Sequence, residues 1–306
     1  MQAHELTIAT PHLRLAAKAW GDPTLPPLLA IHGWLDNAAS FDTLAPLLAE
    51  HFHIVALDLP GHGRSQHRPP GVRYHFIDYL DDVLAAADAL GWERFSLLGH
   101  SLGGGVASFL AAAFPERVQN LFLIEVAGAV SAPADKSLAQ LQKGIVQFRE
   151  NAAKQLRIFT NIDIAVAARR NAGGLSDDAA RTLVLRGIRE VEGGWSWSSD
   201  PRLMPASPQR FTEDQVLDVL AGVHAPTLFV LAEPMALQIP EAAMLARAAQ
   251  IPNLALVRLP GNHHLHLENA EPVAEAILHF VQFPPPPPDQ ADAIAPASRK
   301  NSRIES

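Results

Sequence analysis

Ser101 stands between two glycines in Gly99-His100-Ser101-Leu102-Gly103. The apolar run Phe95–Leu98 precedes it, and Leu102–Phe114, with helical spacing, follows. A strand that turns into a helix within so few residues holds its corner residue in a strained conformation, with the side chain above the sheet. Gly99 and Gly103 let neighbouring backbone come close. A serine there attacks a carbonyl if a base removes its proton. The bland alternative is a helix cap with no chemistry.

The remaining parts of an acyl-transfer site can be sought in chain order. The amide of Leu102 follows the nucleophile and is one donor for an oxyanion. The loop after Leu28–Ile31, "IHGWLDNAASF", supplies a second through the Trp34 amide, where His32-Gly33 admits close backbone approach. The indole of Trp34 also suits an apolar pocket wall. The base is a late histidine, and "LPGNHHLHLENAEP" offers His263, His264 and His266. His263 and His264 are hardly separable on sequence logic alone. Three clustered histidines also suggest a metal, but the chain has no cysteine and no carboxylate at a spacing that closes a compact site. We expect neither metal nor cofactor. His100 is read as a packed or hydrogen-bonding neighbour of Ser101. Asp58 and His62, in "DLPGHGRSQ", are read as fixing a turn.

These residues need a scaffold that brings distant loops together. Short apolar runs at Leu28–Ile31, Ile54–Leu57, Phe95–Leu98, Leu121–Val126, Thr227–Leu231 and Ala255–Leu259 alternate with helical stretches, after an opening hairpin at Glu5–Thr10 and Leu13–Trp20. Strands apolar throughout read as a mostly parallel central sheet flanked by helices, an α/β fold. From Ser131 to Ala221 the pattern is helical, clearest at Asp135–Arg157 and at Asp177–Glu192 with Ser176 as its cap, and no strand stands out. Gly193–Trp197 reads as an aromatic loop. We therefore expect a core of residues 1–130 and 222–283, a helical cap insert of 131–221 that reaches over the carboxyl ends of the strands, and a disordered tail of 284–306 led by five prolines, Pro284–Pro288.

Bulk properties narrow the partners. The 306 residues are 48% hydrophobic and 18% charged, with a net charge of -8. This leaves no cation excess for nucleic acid. Neither a signal-peptide pattern nor 18 consecutive apolar residues occurs. The expectation is a cytoplasmic protein with a small-molecule acyl substrate, no nucleic-acid partner and no membrane span, its oligomeric state left open.

Taken together, "IHGWLDNAASFDTLAPLL", "IVALDLPGHGRSQHRPPG", "YHFIDYLDDV", "GWERFSLLGHSLGGGVASFLAAAFPERV", "GGWSWSSDPRL" and "PGNHHLHLENAEPVA" identify the chain as a member of the α/β-hydrolase superfamily. Within it the chain is most similar to serine hydrolase-like proteins with a helical cap. The resemblance implies a base histidine five residues before a glutamate in the last loop; Glu268 marks that glutamate and points to His263. It also implies an acid in the loop after Thr227–Leu231, where this chain has Met235. Two carboxylates compete for the role. Glu233 lies in the same loop, and Glu125 ends "LFLIE", where haloalkane dehalogenases, for example, carry their acid. A glutamate in that run is costly to bury unless paired, and exposure at the strand end is the plain alternative. Glu125 is the expected partner of His263.

The implied activity is hydrolysis of carboxylic esters through an acyl-enzyme on Ser101, with a small to medium apolar acyl group held by Trp34, Phe41, Trp195 and Trp197. Those aromatics serve equally well as the core of the insert. Thioesterase, carbon–carbon bond hydrolase and amidase chemistry fit the same residues, and a non-catalytic binding protein on this fold is the rival that Met235 supports.

Overall fold

In the computed structural model, which describes residues 2–151, 156–235 and 239–284, the apolar runs become strands whose side chains alternate between two cores. The strands are β1 (His4–Ala9), β2 (Arg14–Trp20), β3 (Pro27–Ile31), β4 (His53–Leu57), β5 (Phe95–His100) and β6 (Val118–Ile124). After a long insertion come β10 (Thr227–Glu233) and β11 (Leu254–Pro260). They form one eight-stranded sheet in the order β1-β2-β4-β3-β5-β6-β10-β11. From β4 to β11 every neighbouring pair is parallel, and β2 is antiparallel to both β1 and β4.

Both faces are covered, which is why the strands read as continuous apolar runs. Leu29, Ile31, Val55, Leu57, Leu97, Leu121, Leu123, Phe229 and Leu231 point into one core. It is closed by α2 (Asp78–Ala89), α3 (Leu102–Ala113), α7 (Glu213–Ala221) and α8 (Glu241–Ala248). Leu28, Ala30, Ile54, Ala56, Leu98, Phe122, Ile124, Leu228 and Val230 point into the other, under α1 (Ala45–Leu48) and α10 (Ala270–Gln282). The two-residue period has split one apolar pattern into two layers.

Between β6 and β10 the chain adds nothing to the large sheet. This stretch contains α4 (Ser137–Asn151), α5 (Ile162–Gly173) and α6 (Asp177–Gly187), the last capped by Ser176 as expected, its Oγ accepting the Ala179 N–H at 3.2 Å. The helical reading of the insert is incomplete. Residues β7 (Ile158–Phe159), β8 (Ile188–Val191) and β9 (Gly194–Trp197) form a three-stranded antiparallel sheet. The expected helix Asp177–Glu192 stops at Gly187, and the expected aromatic loop is a strand. Pairing of Val191 with Gly194 leaves Glu192-Gly193 as a two-residue hairpin turn, with Gly193 at φ +86 supplying the left-handed conformation that favours glycine. Phe159, Leu183 and Val184, with Trp195 and Trp197 against them, make a third core. Trp195 and Trp197 thus pack against the core of the insert, and Phe41 is buried under the large sheet. Among the described residues no helix is long and apolar enough to cross a membrane. The expected tail lies, from residue 285 on, outside the described residues.

Candidate active site

Among the described residues, three other than glycine have positive φ: Leu35 (61°), Ser101 (52°) and Glu125 (71°). They follow β3, β5 and β6, the three adjacent parallel strands at the middle of the sheet. Such backbone costs about 1–3 kcal/mol per residue and gathers where function requires it. Around Ser101 the close approach is severe. A Cβ on Gly103 would sit 2.0 Å from the Ile31 carbonyl oxygen, and one on Gly99 would sit 2.3 Å from that of Gly103. The Ser101 N–H donates to the Ile124 carbonyl at 3.1 Å, pinning the corner to β6. Ser101 is half-buried at the start of α3.

The Glu125 side chain is fully buried. Its Oε1 accepts the Ala232 N–H at 2.6 Å, and its Oε2 lies 3.1 Å from His263 Nδ1. The carboxylate accepts, so Nδ1 carries the proton and the lone pair of a neutral His263 is on Nε2. Glu233 is exposed at the end of β10, beside Pro260 of β11, and Met235 packs against the core. Of the two histidines that sequence logic hardly separated, His264 is held instead by Asp36, its Nε2 3.1 Å from Oδ2. Among the described residues no hydrogen bond joins Ser101 Oγ to the His263 ring. In unliganded sites this contact is often long and tightens only on substrate.

Among the described residues no loop or cap hydrogen bond engages the amides of Trp34 and Leu102. The indole of Trp34 is half-exposed and donates through Nε1 to the Leu203 carbonyl at 3.2 Å. The loop after β3 is thereby tied to the segment between β6 and β10. Asp58 is structural, as its motif suggested. It accepts the N–H groups of Ala38 (2.7 Å) and Arg64 (2.8 Å) and the Arg186 guanidinium at 3.0 Å. His62 is buried, and burial, reinforced by His32, pushes its pKa down to about 3.

Behind the site lies a second cluster of titratable groups. Asp36, His100 and His264 are buried, and one donor atom from each lies within 4.8 Å of the others. The sequence offered no carboxylate at a spacing to close a compact site; the fold brings in Asp36 from the loop after β3. Two imidazoles and a carboxylate are a donor set that a cation such as zinc uses. Here Arg169 occupies Asp36 Oδ1, and the His264 N–H occupies Oδ2, so the carboxylate charge is already matched, and we assign the trio to hydrogen bonding. Burial would raise the Asp36 pKa, but His264 first, then Arg169 and His100, hold it well below the usual carboxylate range. Burial, followed by the neighbouring imidazoles, keeps His100 well below 6.5 and neutral.

An eight-stranded, mostly parallel sheet with helices on both faces, a strained serine after its fifth strand and a histidine after its last define an α/β hydrolase. The model of the α/β-hydrolase fold family matches residues 26–270, and the chain belongs to that family. The chain is 34% identical to a serine hydrolase-like protein of Danio rerio, over 95% of this chain and 91% of that one. The crystal structure of the selenomethionine-substituted hypothetical protein PA1622 from Pseudomonas aeruginosa PAO1 is similar at 42% identity and a TM-score of 0.86, covering 92% of this chain and all but 1% of its own, 99%. A thioesterase domain from the curacin biosynthetic pathway is similar at 27% identity and a TM-score of 0.79, with 91% of this chain and 100% of that one covered. These similarities support a hydrolase.

Proposed function

We propose that this chain is a serine hydrolase that cleaves carboxylic esters through an acyl-enzyme, with a small to medium apolar acyl group and with residues 131–221 acting as a cap over the site. The observation that carries the reading is the buried Glu125 on His263 Nδ1 at 3.1 Å, beside a serine held at φ 52°. Glu125 holds the imidazole with its Nε2 lone pair available. That lone pair takes the Ser101 proton as Oγ attacks the carbonyl carbon. The Trp34 and Leu102 amides receive the oxyanion, each worth roughly 3 kcal/mol. The alcohol leaves with the proton from His263, and water then clears the acyl-enzyme by the same steps. No cofactor enters this scheme.

Thioester cleavage is the second reading, favoured by the similarity to the thioesterase domain. The residues would play the same roles with a thiol leaving. The test is labelling by a fluorophosphonate, followed by a panel of p-nitrophenyl esters and acyl-thioesters of graded length. Wild-type protein is expected to label and Ser101→Ala to stay unlabelled. A folded wild-type protein that fails to label is a binding protein on this fold, and the proposal falls.

A further inference from the structure

One buried carboxylate outside the proposed triad lies among the loops that carry the nucleophile and the base. Asp36 follows Trp34 on the loop after β3. Its Oδ2 accepts the His264 Nε2–H at 3.1 Å, and its Oδ1 pairs with Arg169 of α5. His100, next to Ser101, lies 3.7 Å from the same Oδ2 through Nδ1 and donates from Nε2 to the His263 carbonyl at 2.8 Å. The carbonyl can only accept, which fixes the tautomer of a neutral His100 and leaves its buried Nδ1 without a hydrogen-bond partner. Segments that carry the first oxyanion donor, the nucleophile and the base thus meet at one side chain that also grips the insert.

The insert reaches the same loop independently. Leu267, three residues after His264, belongs to the apolar core of the insert, and Glu268 Oε1 accepts the Ser176 N–H at 3.0 Å. Asn37 Nδ2, beside Asp36, donates to the Leu183 carbonyl at 2.8 Å. A cap that swings freely would break all of these contacts together.

We propose that Asp36 is a positioning residue: with Arg169 it locks the insert to the histidine loop, and through His264 it holds the loop that keeps His263 in reach of Ser101, while His100 tethers the same loop at the His263 carbonyl. The insert is then part of the catalytic geometry and not a lid that merely admits substrate. The claim rests on the serine hydrolase reading above.

The test compares wild type, Asp36→Asn and Arg169→Met. It reads the rate of fluorophosphonate labelling, kcat and KM on a p-nitrophenyl ester, and hydrogen exchange in the peptide spanning 261–269. A displacement of about 1 Å at a reacting group costs about 10²-fold. Labelling and kcat are expected to fall by about that factor in both variants, with KM within about threefold and faster exchange confined to 261–269 and the insert. Both variants keeping wild-type labelling and exchange would overturn the proposal, as would a loss carried by KM alone or a uniform rise in exchange across the sheet. Arg169→Met keeps the test decisive if Asp36→Asn does not fold. If wild type does not label, the hydrolase reading fails on its own, and the exchange pattern still decides whether Asp36 locks the loop.

Discussion

Glu125 and Glu233 are separated by their surroundings. Glu125 has both oxygens engaged, one by the Ala232 amide and one by His263, while Glu233 is exposed on a strand end. Glu125→Gln keeps the shape but replaces an oxygen that accepts from Nδ1 with an amide. It favours the wrong imidazole tautomer and cannot stabilise the imidazolium. Ester hydrolysis is expected to fall by about 10³–10⁴-fold at pH 7.5, and Glu233→Gln is expected to stay within about twofold, both read as kcat/KM on one ester. Equal activity of Glu125→Gln and wild type would remove the acid from the scheme. At this scale the sequence was informative where local backbone chemistry dictates the residue. The glycines around Ser101 announced a close approach, and Met235 announced a missing acid. Where the partner comes from afar, as with Glu125 and His263, the expectation came from the family resemblance and not from local spacing. The burial of Glu125 follows from the adjacency of β6 and β10, which no spacing within "NLFLIEVAG" encodes.

The strand-to-helix corner is a single packed unit of β3, β5, β6 and α3. Gly103→Ala would place a methyl 2.0 Å from a main-chain oxygen of β3, where no flexible side chain can yield. Destabilisation of about 3 kcal/mol or more is expected in urea titration, together with loss of labelling as Ser101 moves. The α6 helix is held differently. Arg186 is almost fully buried against Asp58 and continues to Glu5 of β1 at 2.7 Å. Arg186→Met strands the Asp58 charge with only its two amide donors. It is expected to cost about 3 kcal/mol, measured as a shift of the urea midpoint at constant m. The sheet strands were legible because burial on both faces made them short and uniformly apolar, and α3 because Pro115 ends its pattern. The β8–β9 hairpin escaped for a physical reason. Ile188–Val191 continues the polar and apolar mixture of α6, so the helical reading ran on to Glu192 and Gly193 opened an expected loop. Only pairing with β9, which β7 flanks on its other edge, makes those residues a strand.

At the scale of the whole molecule, the buried histidines set how stability responds to acid. The convergence of Asp36, His100, Arg169 and His264 from four separate segments was invisible in the sequence, since each segment looked self-sufficient as a loop or helix. Burial is the leading cause that lowers the pKa of His32, His62, His100 and His266 from 6.5, the last two well below it. An unfolded chain takes up protons at these sites as pH falls through 6.5, whereas the folded chain does not. The unfolded state therefore binds more protons, and stability declines with falling pH by at most about 1.4 kcal/mol per unit for each histidine. Two carboxylates oppose them: burial raises the Asp42 pKa above 3.8 and pushes that of Asp82 to about 6, so their protonation favours the folded state as pH falls. Asp36, held below 3.8, loses its contribution only in stronger acid. With the lowered imidazoles outnumbering the two raised carboxylates, the urea midpoint is expected to drop steadily from pH 7.5 to 5.5. His266 is held by Ser40 Oγ at 2.8 Å and lies outside the proposed triad, so His266→Gln is expected to flatten that slope by up to about 1.4 kcal/mol per unit. A midpoint independent of pH over this range, in wild type, would mean that the folded chain protonates these rings as readily as the unfolded one and that the cluster is not sealed from water.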